Sequence, residues 1–300
     1  MNNKTSITSI IIFLSFIIAG DIGGYTIFEY NDDAFEINRV YFQYTDDLAD
    51  DLFLKIRYDV TRDGLDGAGK FAAYLKNVYV DWSCKNGGLL SLGLIGTNSY
   101  GIQENTWGYR FIEKSPLDKY QFTNTADLGI GYSHSFGNFN INAQILNGEG
   151  YKSEHSHDNM ATYLRVLYGE SSLNKNDGYN IGLVMTSSEG NSDDNSDDTN
   201  LMGLFGGWAS NKLRLGLEYN QYETIDTEIL MAVYANYSIS ETLDMFVRND
   251  MTEIDGVVDS DIVTSWIGVV CNPSKGLYIS PNIMIADGKN DYRLTFMFKY

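Results

Sequence analysis

The sequence is poor in the residues that interrupt strands, staple small folds and hold metals. There are 3 prolines in 300 residues. Proline removes a donor from a β-ladder, so its scarcity leaves room for long uninterrupted strands. The 2 cysteines, Cys84 and Cys271, are too few for a disulfide framework. Each stands beside a tight-turn signal and they are far apart in strand order, so no bond between them is expected. Of the 3 histidines, His155 and His157 alternate with Glu154 and Asp158 in one polar loop. Alternate residues of a loop rarely close around an ion, so neither a metal nor a cofactor is expected. His134 follows Ser133 in a strand, where neighbouring side chains point to opposite faces and cannot act as base and nucleophile. No catalytic residues and no enzyme activity are expected.

Positive charge is also scarce. Against 40 acidic residues there are 21 basic ones, a formal net charge of −19, which excludes nucleic acid as a partner. The acid gathers at Asp46, Asp47, Asp50 and Asp51 in one expected turn, and at Asp193, Asp194, Asp197 and Asp198 in a Ser/Asn-rich loop. The second group lacks the glycine and terminal glutamate of an EF-hand loop, and both read as solvated loop charge. Beyond residue 20 no apolar run reaches the roughly 20 residues of a membrane-spanning helix. A membrane-embedded form of this chain therefore has to be closed β.

What is present fits that form. Met1–Gly20 carries one charge, Lys4, then an apolar run from Ile10 to Ile18 broken only by Ser15, then Ala19 and Gly20. It reads as a signal peptide over residues 1–20, with residues 21–300 as a single barrel domain. The 22 tyrosines and 15 phenylalanines suit aromatic girdles at membrane interfaces.

Period-two segments bounded by turn chemistry recur from Gly23–Tyr30 to Asp291–Tyr300. They number about sixteen, with fourteen or eighteen also open, and each is roughly ten residues, the length of a tilted transmembrane strand. Leu52, Leu54, Ile56, Tyr58 and Val60 oppose Phe53, Lys55, Arg57 and Asp59; Leu213, Leu215, Leu217 and Tyr219 oppose Arg214, Gly216, Glu218 and Asn220. Asn200–Ala209 alternates only weakly. Short and long connections alternate in the phase expected of short periplasmic turns and longer outer loops. The fold expected is all-β, a transmembrane antiparallel barrel. The last segment carries Tyr292, Leu294, Phe296, Phe298 and Tyr300 on one face and ends on an aromatic residue, as expected of a closing strand that acts as an assembly signal for the barrel-assembly machinery.

The longest connection is the third outer loop, Thr97–Thr125. A loop of this length is usually functional or disordered, and its aromatics argue against disorder. A barrel of about sixteen strands leaves an aqueous channel, and a loop folded into the lumen narrows it. Glu104, Trp107, Tyr109, Arg110, Glu113, Lys114 and Lys119 are its candidate constriction residues. The polar parity of the strands gives candidate lumen-lining residues Arg39, Lys55, Arg57, Asp59, Asp81, Arg165, Arg214, Glu218, Asp244, Arg248 and Arg293, with Asp250 on the same face.

Five segments carry a resemblance to a known family: Phe35–Tyr44, Tyr74–Trp82, Leu92–Thr97, Trp107–Lys114 and Thr125–Tyr132. In order and spacing they resemble porins of the phosphate-selective (O and P) type of Gram-negative bacteria, over roughly the amino-terminal half. The resemblance implies a sixteen-stranded barrel in the cell outer membrane, a homotrimer, and the third loop in the pore. Phosphate selectivity does not follow, because the lumen face mixes acid with base where phosphate channels of this kind carry a ladder of arginines and lysines. The expectation is a passive channel for small hydrophilic solutes or ions, of either preference, in contact with outer-membrane lipid. The alternative is a plugged barrel with a structural or adhesive role and no conductance.

Overall fold

The structure, a computed structural model, describes residues 20–31, 33–62, 69–153, 159–190 and 197–300. The signal-peptide expectation, the histidine loop at 154–158 and Asp193 and Asp194 lie outside these residues. Sixteen strands close into one antiparallel barrel in which each strand pairs with its neighbours in sequence and β1 pairs with β16. They are β1 (Asp21–Asn31), β2 (Ala34–Ala49), β3 (Leu52–Arg62), β4 (Phe71–Ser83), β5 (Leu89–Gly96), β6 (Ala126–Phe136), β7 (Phe139–Leu146) and β8 (Ala161–Gly169). The second half is β9 (Gly178–Ser188), β10 (Thr199–Ser210), β11 (Leu213–Glu223), β12 (Thr227–Ser240), β13 (Leu243–Ile254), β14 (Ile262–Ser274), β15 (Leu277–Ala286) and β16 (Lys289–Lys299).

The ladders carry the alternation outward and inward without a break in phase across most of the wall. Leu217 pairs with Val233 and Val233 with Asn249, while Gly216 pairs with Tyr234 and Tyr234 with Arg248. The first row faces out: Leu217 and Val233 are 59% and 58% exposed. The second faces in, where Tyr234 and Arg248 are buried. The outer wall is thus a continuous belt of exposed Leu, Ile, Val, Met and aromatic side chains. Single exposed apolar residues are ordinary on a protein surface, but a contiguous belt marks a surface meant for apolar contact.

Two departures from the expected segments have local causes. The Asp46–Asp51 stretch is not all turn. Asp46 pairs with Leu54 and Asp47 with Phe53, so β2 runs on through Ala49, and the Tyr44 hydroxyl donates to Asp46 at 2.9 Å. The second departure lies in β4. Arg57 pairs with Asn77 but Tyr58 pairs with Leu75, which leaves Lys76 as the extra residue of a β-bulge. A bulge re-aims its side chain; strict alternation sends Lys76 outward, and the bulge turns it in.

The seam between β1 and β16 runs from Tyr25–Lys299 to Tyr30–Leu294. The Gly24 N–H donates to the Tyr300 carbonyl at 3.0 Å, and the Tyr300 N–H returns a bond to the Gly24 carbonyl at 3.2 Å. Removing Phe298–Tyr300 takes away this end of the seam and leaves part of β1 as a free edge. The truncated chain is expected to give no folded, heat-modifiable band after refolding into micelles; a normal band would show that the seam closes without these residues.

Candidate functional site

The connection between β5 and β6 lies inside the barrel. Its two ends are drawn together by Ser99 and Thr123, whose hydroxyls are 2.6 Å apart, and by a bond from the Thr97 N–H to the Thr125 carbonyl at 3.4 Å. Side chains of β7 hold the entrance. The Asn98 amide nitrogen donates to Asn142 Oδ1 at 2.7 Å and Gln144 donates to the Gly96 carbonyl at 2.9 Å. A helix of about two turns follows, α1 (Gly101–Trp107), then a shorter one, α2 (Pro116–Lys119). Helices this short do not persist alone in water, so the wall must supply their stability.

It does so through small residues and aromatic contacts. Helix α1 lies across β10, β11 and β12. A Cβ at Gly207 of β10 would meet Thr106 Cγ2 and Leu173 Cδ1, each at 2.7 Å, so the absence of a side chain there lets the helix approach. The helix ends at Gly108, whose φ of 77° is the left-handed conformation that suits glycine. A Cβ at Gly108 would also strike the Arg214 guanidinium. Ile102, Leu117 and Phe122 of the loop pack with Leu167, Val184, Leu201, Phe205 and Leu230 of the wall. Further along, Phe111 and Ile112 join a second cluster with Ile27, Trp266, Val270 and Met297. The loop therefore follows the inner wall from β8 round to β1.

Its anchor is a buried ion pair between two tryptophans. The Arg248 guanidinium donates to both carboxylate oxygens of Asp250, at 2.8 and 2.6 Å, and both side chains are fully buried. Its carbon lies 5.3 Å from the Trp107 ring centre and 4.9 Å from that of Trp266. A third donor goes to the Lys114 carbonyl on the loop. Asn236 and Arg214 donate to the Trp107 carbonyl at 2.8 and 3.2 Å, and the Tyr109 hydroxyl donates to Asp244 at 2.8 Å. Tyr234 donates to the Gln103 carbonyl at 3.2 Å and lies the same distance from Glu218.

The sequence-derived residues therefore divide. Arg214, Glu218, Asp244 and Arg248 are on the inner face, where the loop covers or engages them. Trp107 and Tyr109 turn toward the wall, 0% and 9% exposed, and hold the loop to it. The other loop residues form a charged edge. Arg110 meets Glu104 at 3.1 Å and Asp118 at 3.3 Å, Lys114 lies 3.8 Å from Asp118, and Lys119 lies 3.4 Å from Glu113. Burial raises the Glu104 carboxyl above its usual range, against the pull of Arg110. Burial lowers Lys114, opposed by Asp118.

Arg39, Lys55, Arg57, Asp59 and Asp81 share the inner face of β2, β3 and β4. Two residues missed by the sequence reading organise them. Tyr41 is the hub: the cationic groups of Arg39, Arg57 and Lys76 lie 5.7, 5.3 and 5.4 Å from its ring centre. Arg39 and Lys76 donate to its hydroxyl at 3.1 and 3.2 Å. Its parity with Arg39 was readable in the sequence; the inward turn of Lys76 depends on a bulge that leaves no mark in composition. Arg39 pairs with Asp59 at 3.4 Å, and Arg57 donates to Gln43 at 3.0 and 2.6 Å. Asp81 accepts from Ser91. Arg39, Arg110, Lys114 and Arg293 then meet around one hollow of about 160 Å³, with Glu29 and Glu113. Arg293 is itself paired with Asp291 at 2.5 Å, and Arg165 stands apart on β8.

Replacing Asp250 by alanine leaves the Arg248 charge buried without its carboxylate, at a cost of about 3–5 kcal/mol. The expected result is a lower urea midpoint and new trypsin cleavage after Arg110, Lys114 or Lys119. The paired replacement R248M/D250L is expected to cost less. A D250A barrel with an uncut loop would show that the pair is not the anchor.

No protein-family profile and no curated protein matches this chain. Among solved structures the fold is similar to OmpF of Salmonella typhi in complex with daunomycin, with a TM-score of 0.70 at 12% identity over 94% of this chain and 97% of that one. It is similar to OmpT expressed in the outer membrane of Vibrio cholerae, with a TM-score of 0.64 at 14% identity over 94% and 98%. It is similar to a mutant porin of Rh. blastica, with a TM-score of 0.62 at 16% identity over 94% and 100%. At these identities the likeness is one of fold.

Proposed function

We propose that this protein is a passive channel of the Gram-negative outer membrane, through which small hydrophilic solutes and ions cross between the third loop and the β2–β4 wall. The observation that carries the reading is unpaired charge inside the barrel. Lys55 and Arg57 face inward, and among the described residues neither has a carboxylate within ion-pair distance. An unpaired charge is too costly to hold in a dry interior, so this side of the lumen is wet. The apolar outer belt supports lipid contact, and closure of the sheet is the condition for β-structure to span a bilayer. A homotrimer and insertion by the barrel-assembly machinery, with β16 as its signal, belong to the same proposal.

Local charge sets the ion preference, since selectivity follows the lining of the narrow zone and not total charge. The wall there offers Arg39, Lys55, Arg57 and Lys76 against Asp59 and Asp81. The loop edge offers Arg110, Lys114 and Lys119 against Glu104, Glu113 and Asp118 and is neutral. The narrow zone thus carries a positive excess in a protein whose net charge is −19. A weak anion preference follows. A phosphate-selective pore of the O and P type remains the finer form of this reading. It is supported by the amino-terminal segments and this cation cluster, and opposed by Asp59 and Asp81 on the same wall.

Purified barrel in a planar bilayer under a KCl gradient is expected to give discrete conductance steps and a reversal potential of the sign set by chloride. Silence from folded, inserted protein would favour the plugged barrel. Deleting Trp107–Lys119 is expected to raise the conductance; an unchanged value would place the narrowest point elsewhere.

Acidification gives a separate check. Glu104, raised by burial, takes up its proton at a higher pH than an ordinary glutamate and removes one negative charge from the loop edge. Anion preference is therefore expected to grow as pH falls toward that range, and to grow less in the E104Q channel. Equal pH responses in the two proteins would remove Glu104 from the lining.

A further inference from the structure

The inner-facing arginines have partners, with one exception. Arg39, Arg110, Arg248 and Arg293 each face a carboxylate, and Arg57 and Arg214 stack on the rings of Tyr41 and Tyr109. Arg165 of β8 has neither a carboxylate nor a ring partner among the described residues. Its bond is to Asn140, from Nη2 to Oδ1 at 2.9 Å, and its Nε is buried without a partner. The carboxylates of the neighbouring turn are directed elsewhere: Glu170 accepts from the Ser172 N–H at 2.8 Å and Asp177 from the Asn211 N–H at 3.1 Å.

Arg165 lines a hollow of about 400 Å³ at the short-turn end of the barrel, away from the cluster on β2–β4. Its rim is amide and hydroxyl: Asn105 from helix α1, Ser135 near the end of β6, Asn138 from the β6–β7 turn, and Ser171 beyond β8. Leu167 and Ile102 also line it. The rim is ordered by its own bonds. Asn140 donates to Ser133 and Ser135 at 3.0 and 2.9 Å, which leaves its oxygen toward Arg165, and Asn105 donates to the Ser171 carbonyl at 3.3 Å.

A guanidinium fork with donors to spare matches the two oxygens of a carboxylate or phosphate. Amides and hydroxyls around it match hydroxyl groups, which both donate and accept. We propose that this hollow is a binding subsite for the anionic group, carboxylate or phosphate, of a small polyhydroxylated solute. The proposal rests on the channel reading only in that the solute reaches the hollow through the lumen. It gives the path two stations: a narrow zone that favours anions by field, and a separate inner seat that holds one by directed bonds.

Titration calorimetry on refolded barrel in micelles tests it, with galacturonate, glucose 6-phosphate and galactose as probes and KCl conductance measured in parallel. One or both anionic sugars are expected to bind about tenfold or more tightly than galactose, the scale of a charge-assisted hydrogen bond. The tighter of the two identifies the preferred group. R165Q, shown to be folded by heat modifiability, is expected to lose the preference. Loss of positive charge as such is controlled at the outer rim by R62Q, which is expected to keep it. Equal binding of acidic and neutral sugars, or a preference that survives R165Q or disappears in R62Q, would overturn the subsite. Sugar binding in a barrel that passes no current would instead overturn the channel reading and leave the subsite standing.

Discussion

Closure of the sheet is the constraint on which the rest depends. Sixteen strands pair with their sequence neighbours, and the β1–β16 seam removes the remaining edges. With no edge to protect, the strands need few prolines or other guards against edge pairing. With every ladder satisfied within the sheet, the outward row is free to be apolar and the inward row free to be polar. The same closure encloses a volume that wall side chains alone do not fill, and the third loop occupies part of it.

The loop divides the inner wall into two chemistries. From β8 round to β1 the wall is apolar and aromatic where the loop rests on it, and the Arg248–Asp250 pair sits there, buried between tryptophans. Over β2–β4 the wall stays charged. A buried ion pair is weak support for stability compared with a hydrophobic replacement, but breaking it is costly. Here its third bond, to the Lys114 carbonyl, ties a particular backbone position of the loop to a particular strand. Its contribution is therefore to where the loop lies, and so to which of its charges face the open side.

The barrel was legible in the sequence because its code is simple: period two, turn chemistry, and the phase of short and long connections. A count of about sixteen strands, to within two, was readable from turns and period, and parity marked the polar row from Arg39 to Arg293. The division of that row into covered and open residues was not readable. Glu218 and Arg248 have the same parity and polarity as Arg57, and only the path of the loop, fixed by contacts far apart in sequence, separates them. Trp107 and Tyr109 stand among the candidate constriction residues because they are aromatic and in the loop, yet aromatic area is also what a loop needs to bind a wall. Lys76 was missed because alternation assumes an unbroken ladder.

That extra residue in β4 makes chain length, and not composition alone, a determinant of what faces the lumen. Through most of the wall a single insertion or deletion flips a whole strand and is ruinous. At a bulge the frame is already offset, and the neighbouring ladder is in register on either side. Losing one residue there would remove an inward cation while the rest of β4 kept its facing. Variation among descendants of such a gene could then alter the charge that faces the lumen by gaining or losing one codon at this place, a route that comparison of substitutions alone would overlook.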